Sequence, residues 1–583
     1  MDAKGARSTT PAGKALLACA LEACGTSAAK KAAEKCAREK KFRFAYAGHV
    51  KQLVTHGAAS PAAALESSKA GLGWLRANFE FVDSGGVAQP FEKAVAKGSQ
   101  ATTSNRSLAS VRVAGRGAVS STQTYEVPYD GGWHPSSPAA PAAGKSGGDL
   151  EQLCASWVQK GIVEPDAAEA INWTSRYVDA GGRLDDCHFV LIGAGSAMGP
   201  CAKLLELGAH VVAIDIPGSW GKGGKRPASS LWARLIALAD ASPGGSLTAP
   251  VSAADAAAAQ TLADQARQGG KKLTSLSAPS SELGELCGCD LMNEPREIAE
   301  WLEHVWLPTL PKSARVCVGN YTYLDGELHV KLALCADLII ERVLKASKEL
   351  KFKTPAACAF LCTPTDAHVC TPAAHAAAKQ AYGSGLGSFG LEKLFHCVTG
   401  GSKLVRNFGR AIACDDGSQV HVCDGLSVAQ GPNYAIAKRI QHWRACCAFE
   451  AGHTASSMVA PSTATISVIH NKTFAWAYGG MPYFGFEIFK QETTNAVMCA
   501  VLLHDVLNDG GPKAPANRAK FGIKNSLQLF STESVHGGLW RSPYTVDSIG
   551  EVCALIYFAG VLKPYAAGTL VLAASAYVAL NCM

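Results

Sequence analysis

The chain has no CxxC pair and no cysteine or histidine spacing suited to a metal, although it carries 21 cysteines. They are scattered, and the closest, Cys287/Cys289 and the adjacent Cys446/Cys447, have no ligand spacing. This argues against a zinc ribbon or a dithiol redox motif, and no metal is expected. Residues Met1 to Gly25 also lack the charge-then-apolar order of a secretory signal. The cysteines therefore read as reduced thiols in an intracellular compartment, cytoplasmic by default, most of them small core residues. An organellar or membrane-associated placement is the alternative.

Charge is sparse as well. Asp, Glu, Lys and Arg make up 18% of the chain, with a net charge of +7. The excess sits in one place, at Lys30, Lys31, Lys35, Arg38, Lys40, Lys41 and Arg43. That cluster reads as a solvated helix face, or more sharply as a contact for an anionic surface or acidic partner. So local an excess does not point to nucleic acid. No uncharged run is long enough to span a bilayer. The stretch from Val552 to Leu580 is apolar, but Lys563-Pro564-Tyr565 divides it into halves too short to cross. Buried core segments are expected there, with a membrane-dipping hairpin or a docking tail for a larger complex as the alternative.

What is present is apolar bulk: 48% hydrophobic residues over 583 positions, enough for a large core. Residues 1–129 are rich in Ala and Lys and read as short helices. Residues 130–149, dense in Pro, Gly, Ser and Ala, read as a flexible linker. From 150 to 510 strands and helices alternate. HFVLIGAG, HVVAIDIP, ELCGCDL, ARVCVGNYT and ACAFLCTP read as five successive strands, with insertions near 219–284 and 366–417. Residues 511–583 read as a C-terminal lid, with His536, Trp540, Arg541 and Tyr544 among glycines, followed by the apolar tail. Alternation of this kind implies an α/β fold, a Rossmann-type doubly wound parallel sheet with helices on both faces. The helical N-terminal region and the apolar C-terminal segment are added to it.

The sharpest pattern is GAGSAMG at the end of the first of these strands. Gly193 permits a tight turn, Gly195 lets backbone approach a pyrophosphate, and Gly199 allows close helix–strand packing, with Ser196 and Met198 between them. Asp215 ends the next strand, where an acid accepts hydrogen bonds from a ribose and disfavours a 2′-phosphate. NAD or NADP is the expected cofactor, with Asp215 favouring NAD. Lys222, Lys225 and Arg226 follow in one loop and offer charge for a 2′-phosphate, unless they are merely solvated. The strand before Gly193 is wholly apolar, which argues against a methyl-donor site.

With these residues the chain resembles the short-chain dehydrogenase/reductase superfamily. GAGSAMG is similar to that family's glycine signature, with Ala197 at its usual middle glycine. Cys289-Asp290-Leu291 looks like its adenine-contacting acid after the third strand, and Gly319-Asn320 like its Asn-rich turn. Tyr434-Ala435-Ile436-Ala437-Lys438 matches its Tyr-x-x-x-Lys pair, and MVAPSTAT resembles its segment after the sixth strand, with Ser462 at the usual glycine. The resemblance implies binding through Gly193, Gly195, Ser196, Met198, Gly199, Asp215, Asp290, Leu291, Asn320 and Lys438. It also implies catalysis by Tyr434 and Lys438 with a hydroxyl partner. Residues i and i+4 share a helix face, so the lysine would lower the tyrosine pKa. Where the family has its serine this chain has His421. Ser427 is the nearest replacement, and Thr363 and Thr365 are the others. A second pattern, His375-Ala376-Ala377-Ala378-Lys379, has histidine in place of tyrosine.

The expected activity is an NAD(P)-dependent exchange between a carbonyl and a secondary alcohol, on a small and apolar substrate. Two alternatives stand beside it. One is a non-catalytic accessory subunit, suggested by the altered glycine signature, the displaced serine and the insertions. The other is an enzyme resembling saccharopine dehydrogenases, whose glycine turn is also followed by a proline, here Pro200.

Overall fold

The computed structural model describes residues 9–82, 86–96, 106–118, 123–136, 144–222, 227–268, 273–382 and 396–562. Seven strands form the main sheet: β1 (Leu108–Ala114), β2 (Cys187–Ile192), β3 (His210–Ile214), β4 (Ser246–Ser252), β5 (Arg315–Asn320), β6 (Ala357–Cys362) and β7 (Ala455–Val459). Their order across the sheet is β7-β6-β5-β2-β3-β4-β1. Strands β2 to β7 are parallel, and β1 closes the edge antiparallel to β4. Counted alone, the six parallel strands run 3-2-1-4-5-6, the doubly wound order. In the central register Ile192 lies opposite Asn320 on one side and Ile214 on the other.

Among the described helices, those that bear on the core and the site are α1 (Thr10–Glu22), α2 (Ser27–Ala37), α3 (Phe42–Ala58), α4 (Pro61–Asn78), α5 (Gly147–Lys160), α6 (Pro165–Asp179), α7 (Cys201–Glu206), α8 (Ala228–Ala241), α9 (Glu327–Glu349), α10 (Pro432–Glu450), α11 (Lys472–Gly480), α12 (Gln491–Leu507) and α13 (Val546–Leu562). Successive strand residues point to opposite faces. Val190, Ile192, Val212, Ile214, Val316 and Val318 join one core with α9, α10 and the N-terminal helices. Phe189, Leu191, Val211, Ala213 and Cys317 join the other core with α5 to α8 and α12. Both faces are buried, which is why these strands read as continuous apolar runs rather than alternating ones.

The N-terminal helices are built onto the body. A Cβ added at Gly71 of α4 would lie 2.6 Å from the Trp443 ring of α10, so that crossing needs a glycine. The basic cluster is exposed on α2, the turn after it and the start of α3, as either reading requires.

Three expectations change. The third parallel strand is β4, inside the expected 219–284 insertion, and ELCGCDL is not a strand. Cys287 makes only an isolated bridge to Val251, and Gly288 donates to the Pro250 carbonyl. Short polar residues and Pro250 hide β4 in the sequence. Pro250 is tolerated because the ladder with β3 covers only Ser246 to Thr248, so Pro250 is paired on the β1 side alone. The expected linker is anchored at both described ends. Trp133 is buried, and Val127–Pro128 pairs with Gly144–Lys145, while residues 137–143 lie outside the described residues. The expected lid is core: His536 is fully buried and Trp540 nearly so, because His536 Nε2 and the Arg541 guanidinium both bond the buried Glu164 carboxylate.

The second insertion contributes a small antiparallel sheet, in which Gln419–Asp424 pairs with Ala367–Cys370 and Ile412–Ala413. Among the described residues no helix is long and apolar enough to cross a membrane. Most of the apolar tail, residues 563–583, lies outside the described residues, and α13 before it docks on α11.

Candidate functional site

The sheet changes winding direction between β2 and β5. Helix α7, after β2, packs into one core and α9, after β5, into the other. A crevice outside the carboxyl ends of two such strands is where doubly wound sheets take ligands. Gly193 to Gly195 and Asn320 to Thr322 lie at its two lips. Gly193 has φ +82°, and a Cβ there would sit 3.0 Å from the Thr322 amide nitrogen. A Cβ at Gly195 would sit 2.3 Å from Leu231 Cδ1 and 3.2 Å from an Asp215 oxygen. Backbone bonds from Ser196 to Gly193 and from Gly199 to Ser196, 3.0 Å each, fold residues 193–199, Met198 included, into successive turns. The helix that follows, α7, starts only at Cys201 and has six residues. Asn495 of α12 ties the turn down through the Ala197 carbonyl, at 2.8 Å.

Asp215 belongs to this turn. Its carboxylate accepts from the Gly195 amide at 2.7 Å and from the Ile216 amide at 2.9 Å. Burial raises its pKa against those two hydrogen bonds. Asp290 comes to the same end of the sheet, since the Cys289 amide bonds the Asp215 carbonyl. Its carboxylate, however, accepts from the Met292 and Asn293 amides and caps its own turn. Leu291 packs against the core. Asn320 is buried, and its side-chain carbonyl accepts from the amide and hydroxyl of Thr322, shaping the opposite lip.

Helix α10 starts after Gly431, at φ +87°, with Pro432 in its first turn. This sets Tyr434 and Lys438 on one face, one turn apart. Lys438 Nζ lies 5.7 Å from the Tyr434 ring centre and donates to the Leu361 carbonyl at 3.2 Å and to Gln441 Oε1 at 3.3 Å. Burial pushes the Tyr434 phenol well above its ordinary pKa, opposed by a hydrogen bond with Thr363, and burial lowers the Lys438 ammonium. The hydroxyl that meets the phenol is therefore that of Thr363, the first residue after β6. Ser427 is placed differently: its backbone carbonyl accepts from Tyr46 of α3 at 2.8 Å. Thr363 and Thr365 share a hydrogen bond at 2.7 Å. His421 stacks on His375, ring centres 3.7 Å apart, within and beside the small sheet.

Two residues at this mouth carry no motif. His329, on the first turn of α9, packs against Tyr323 at 5.2 Å and Tyr434 at 5.6 Å between ring centres. Burial, with Lys438 nearby, pushes its pKa down to about 3, so it is a neutral imidazole. Arg234 of α8 donates to the Gly195 carbonyl at 3.3 Å. Neither was legible in the chain, because α8 and α9 reach the site through tertiary packing alone. Tyr323, Leu324 and Leu328 leave apolar surface exposed beside it.

A second polar cluster lies at the other end of α12. His504, Asp505 and Glu533 place donor atoms within 4.8 Å of one another. The ammonium of Lys513 holds the cation position among them, 3.0 Å from Asp505 and 2.9 Å from Glu533.

Comparison with models of protein families, with curated proteins and with solved structures finds no match to this chain.

Proposed function

We propose that the chain is a Rossmann-type NAD(P)-dependent oxidoreductase that interconverts a carbonyl and a secondary alcohol. The observation that carries this reading is the convergence of Thr363, Tyr434 and Lys438 next to the glycine-turn crevice. They come from a strand end and a helix separated by a long insertion. Tyr434 touches Tyr323, and the adjacent Thr322 backs onto Gly193, so the two halves of the site adjoin.

The residues fit a dinucleotide. The cradle requires glycine at 193 and 195, and Asp215 braces it from within. The amides of Gly193, Ala194, Gly195, Ser196 and Gly199 are spent within the protein, so the Ala197 and Met198 amides and the side chains of Asn320 and Lys438 would hold the cofactor. When bound, the nicotinamide supplies or accepts the hydride. The chain supplies the proton. Thr363 and Tyr434 orient the substrate oxygen with their hydroxyls. The raised pKa keeps Tyr434 protonated at neutral pH, the form that donates to the oxygen of a carbonyl being reduced. Lys438, fixed by the Leu361 carbonyl and Gln441, provides positive charge beside the phenol and stabilises its ionised form after the transfer. The exposed Tyr323, Leu324 and Leu328 favour a small apolar substrate.

The test is titration of the full chain with NADH and NADPH, followed by Tyr434→Phe. One dinucleotide should bind at micromolar concentration. The variant should bind it equally well while turnover falls by about 10²- to 10⁴-fold. A variant with undiminished turnover removes Tyr434 from the chemistry. Absence of binding by either dinucleotide favours a second reading, a non-catalytic subunit. That reading draws on Leu231, whose side chain covers Gly195, and on the shortness of α7.

A further inference from the structure

The end of the second parallel strand carries an acid, and an acid there usually selects the dinucleotide without a 2′-phosphate, because its carboxylate meets the ribose hydroxyls. Here the carboxylate is otherwise engaged. Each Asp215 oxygen takes a backbone N–H, one from Gly195 at 2.7 Å and one from Ile216 at 2.9 Å. Its charge is spent on holding the glycine turn.

The opposite charge is available close by. Helix α8, the crossover between β3 and β4, lays Leu231 and Arg234 on one face, three residues apart. Leu231 covers Gly195, and Arg234 donates to the carbonyl of that same glycine at 3.3 Å. Arg234 is exposed and makes no ion pair among the described residues. Its hydrogen bond goes to a neutral carbonyl, which leaves donors of the guanidinium fork unused, although its charge also acts on the nearby Asp215 carboxylate. The other described cation of this region, Lys222, is paired with Glu285 at 2.9 Å. Lys225 and Arg226 lie outside the described residues. A guanidinium matches a phosphate with two parallel hydrogen bonds, which an ammonium does not.

Resting on the oxidoreductase reading above, we infer that Arg234 recognises the 2′-phosphate of the adenosine half, so that the cofactor class is the 2′-phosphorylated dinucleotide.

The experiment is calorimetric titration of the full chain with 2′,5′-ADP, 5′-AMP, NADPH and NADH, with no turnover required. The phosphorylated member of each pair should bind at least tenfold tighter, and that advantage should shrink as salt is raised. Arg234→Gln should erase the difference while leaving 5′-AMP and NADH binding unchanged. Arg234→Lys should restore part of it. Because the side chain is exposed, both variants should melt like the parent. NADH binding as tightly as NADPH overturns the inference and leaves the oxidoreductase reading standing. An equal loss for both members in Arg234→Gln also overturns it. Failure of all four ligands to bind overturns both.

Discussion

Lys513→Met tests how the body is held together at the end of α12. Lys513 and Asp505 are wholly buried in their side chains, and Glu533 is 1% exposed. Burial and the neighbouring Glu533 raise the Asp505 pKa well above its ordinary value. Glu533, despite its burial, is held low by Lys513, Asp505 and His504. The Lys513 ammonium thus lies between two buried carboxyls whose pKa values are pushed apart, with His504 Nδ1 2.8 Å from Glu533. Removing the ammonium leaves the buried Glu533 without its charged partner, with only Asp505 and His504 beside it, a change that costs about 3–5 kcal/mol. At about 2.1 cal/mol/K per residue over 583 residues, that lowers Tm by about 2–4 °C if the chain unfolds as a unit. The sign with pH follows from Glu533. A lowered carboxyl contributes stability above its unfolded pKa and loses it as pH falls. The deficit of Lys513→Met should be full at pH 7.5 and shrink toward pH 4.5, where the lone carboxyl takes up a proton. Lys513→Met combined with Glu533→Gln should recover most of the loss at pH 7.5. Urea unfolding at both pH values reads all of this. A deficit below about 1 kcal/mol, the scale of an exposed pair, refutes the reasoning, and so does a deficit independent of pH.

Three further outcomes are expected. Thr363→Val should lower kcat by about 10²-fold with dinucleotide affinity unchanged, whereas Ser427→Ala should leave turnover intact; the reverse pattern would return the hydroxyl role to Ser427. Burial opposes ionisation of Glu164, but His536, Arg541 and Thr371 hold its carboxyl down to about 2. Glu164→Gln should therefore cost about 3 kcal/mol at pH 7 by urea unfolding, and the gap should close as pH falls from the ordinary glutamate range toward 2. A Cβ at Gly480 would lie 1.9 Å from the Cys553 carbonyl oxygen, so Gly480→Ala should part α11 from α13 and destabilise by about 1–3 kcal/mol. Gly148→Ala, with open space around it, should be neutral, and equal melting of the two variants would contradict this account of the helix contact.

Much of the sheet was legible because its strands are buried on both faces. Cys187–Ile192, His210–Ile214, Arg315–Asn320 and Ala357–Cys362 stand out as apolar runs between helical patterns. Ser246–Ser252 did not, since an edge-side strand can be built from Ser, Thr and Pro when β1 and the helices cover it. Residues 285–291 misled for the converse reason: they run apolar because they cross buried strand ends, with Gly288 turning at φ +102° before a ladder can form. The lid expectation failed at His536 and Trp540, because the His536 imidazole bonds Glu164 and the two rings stack 4.8 Å apart in the core.

Local spacing by itself determined the glycine turn, the acid that follows it and the Tyr434/Lys438 pair, because a strand–turn–helix and an i, i+4 face depend only on neighbours along the chain. Which hydroxyl meets Tyr434, what Asp215 bonds, and the arrival of His329 and Arg234 were decided by tertiary structure. Those contacts join segments tens to hundreds of residues apart, and only the parallel winding of the sheet, which gathers every strand's carboxyl end on one edge, brings them together.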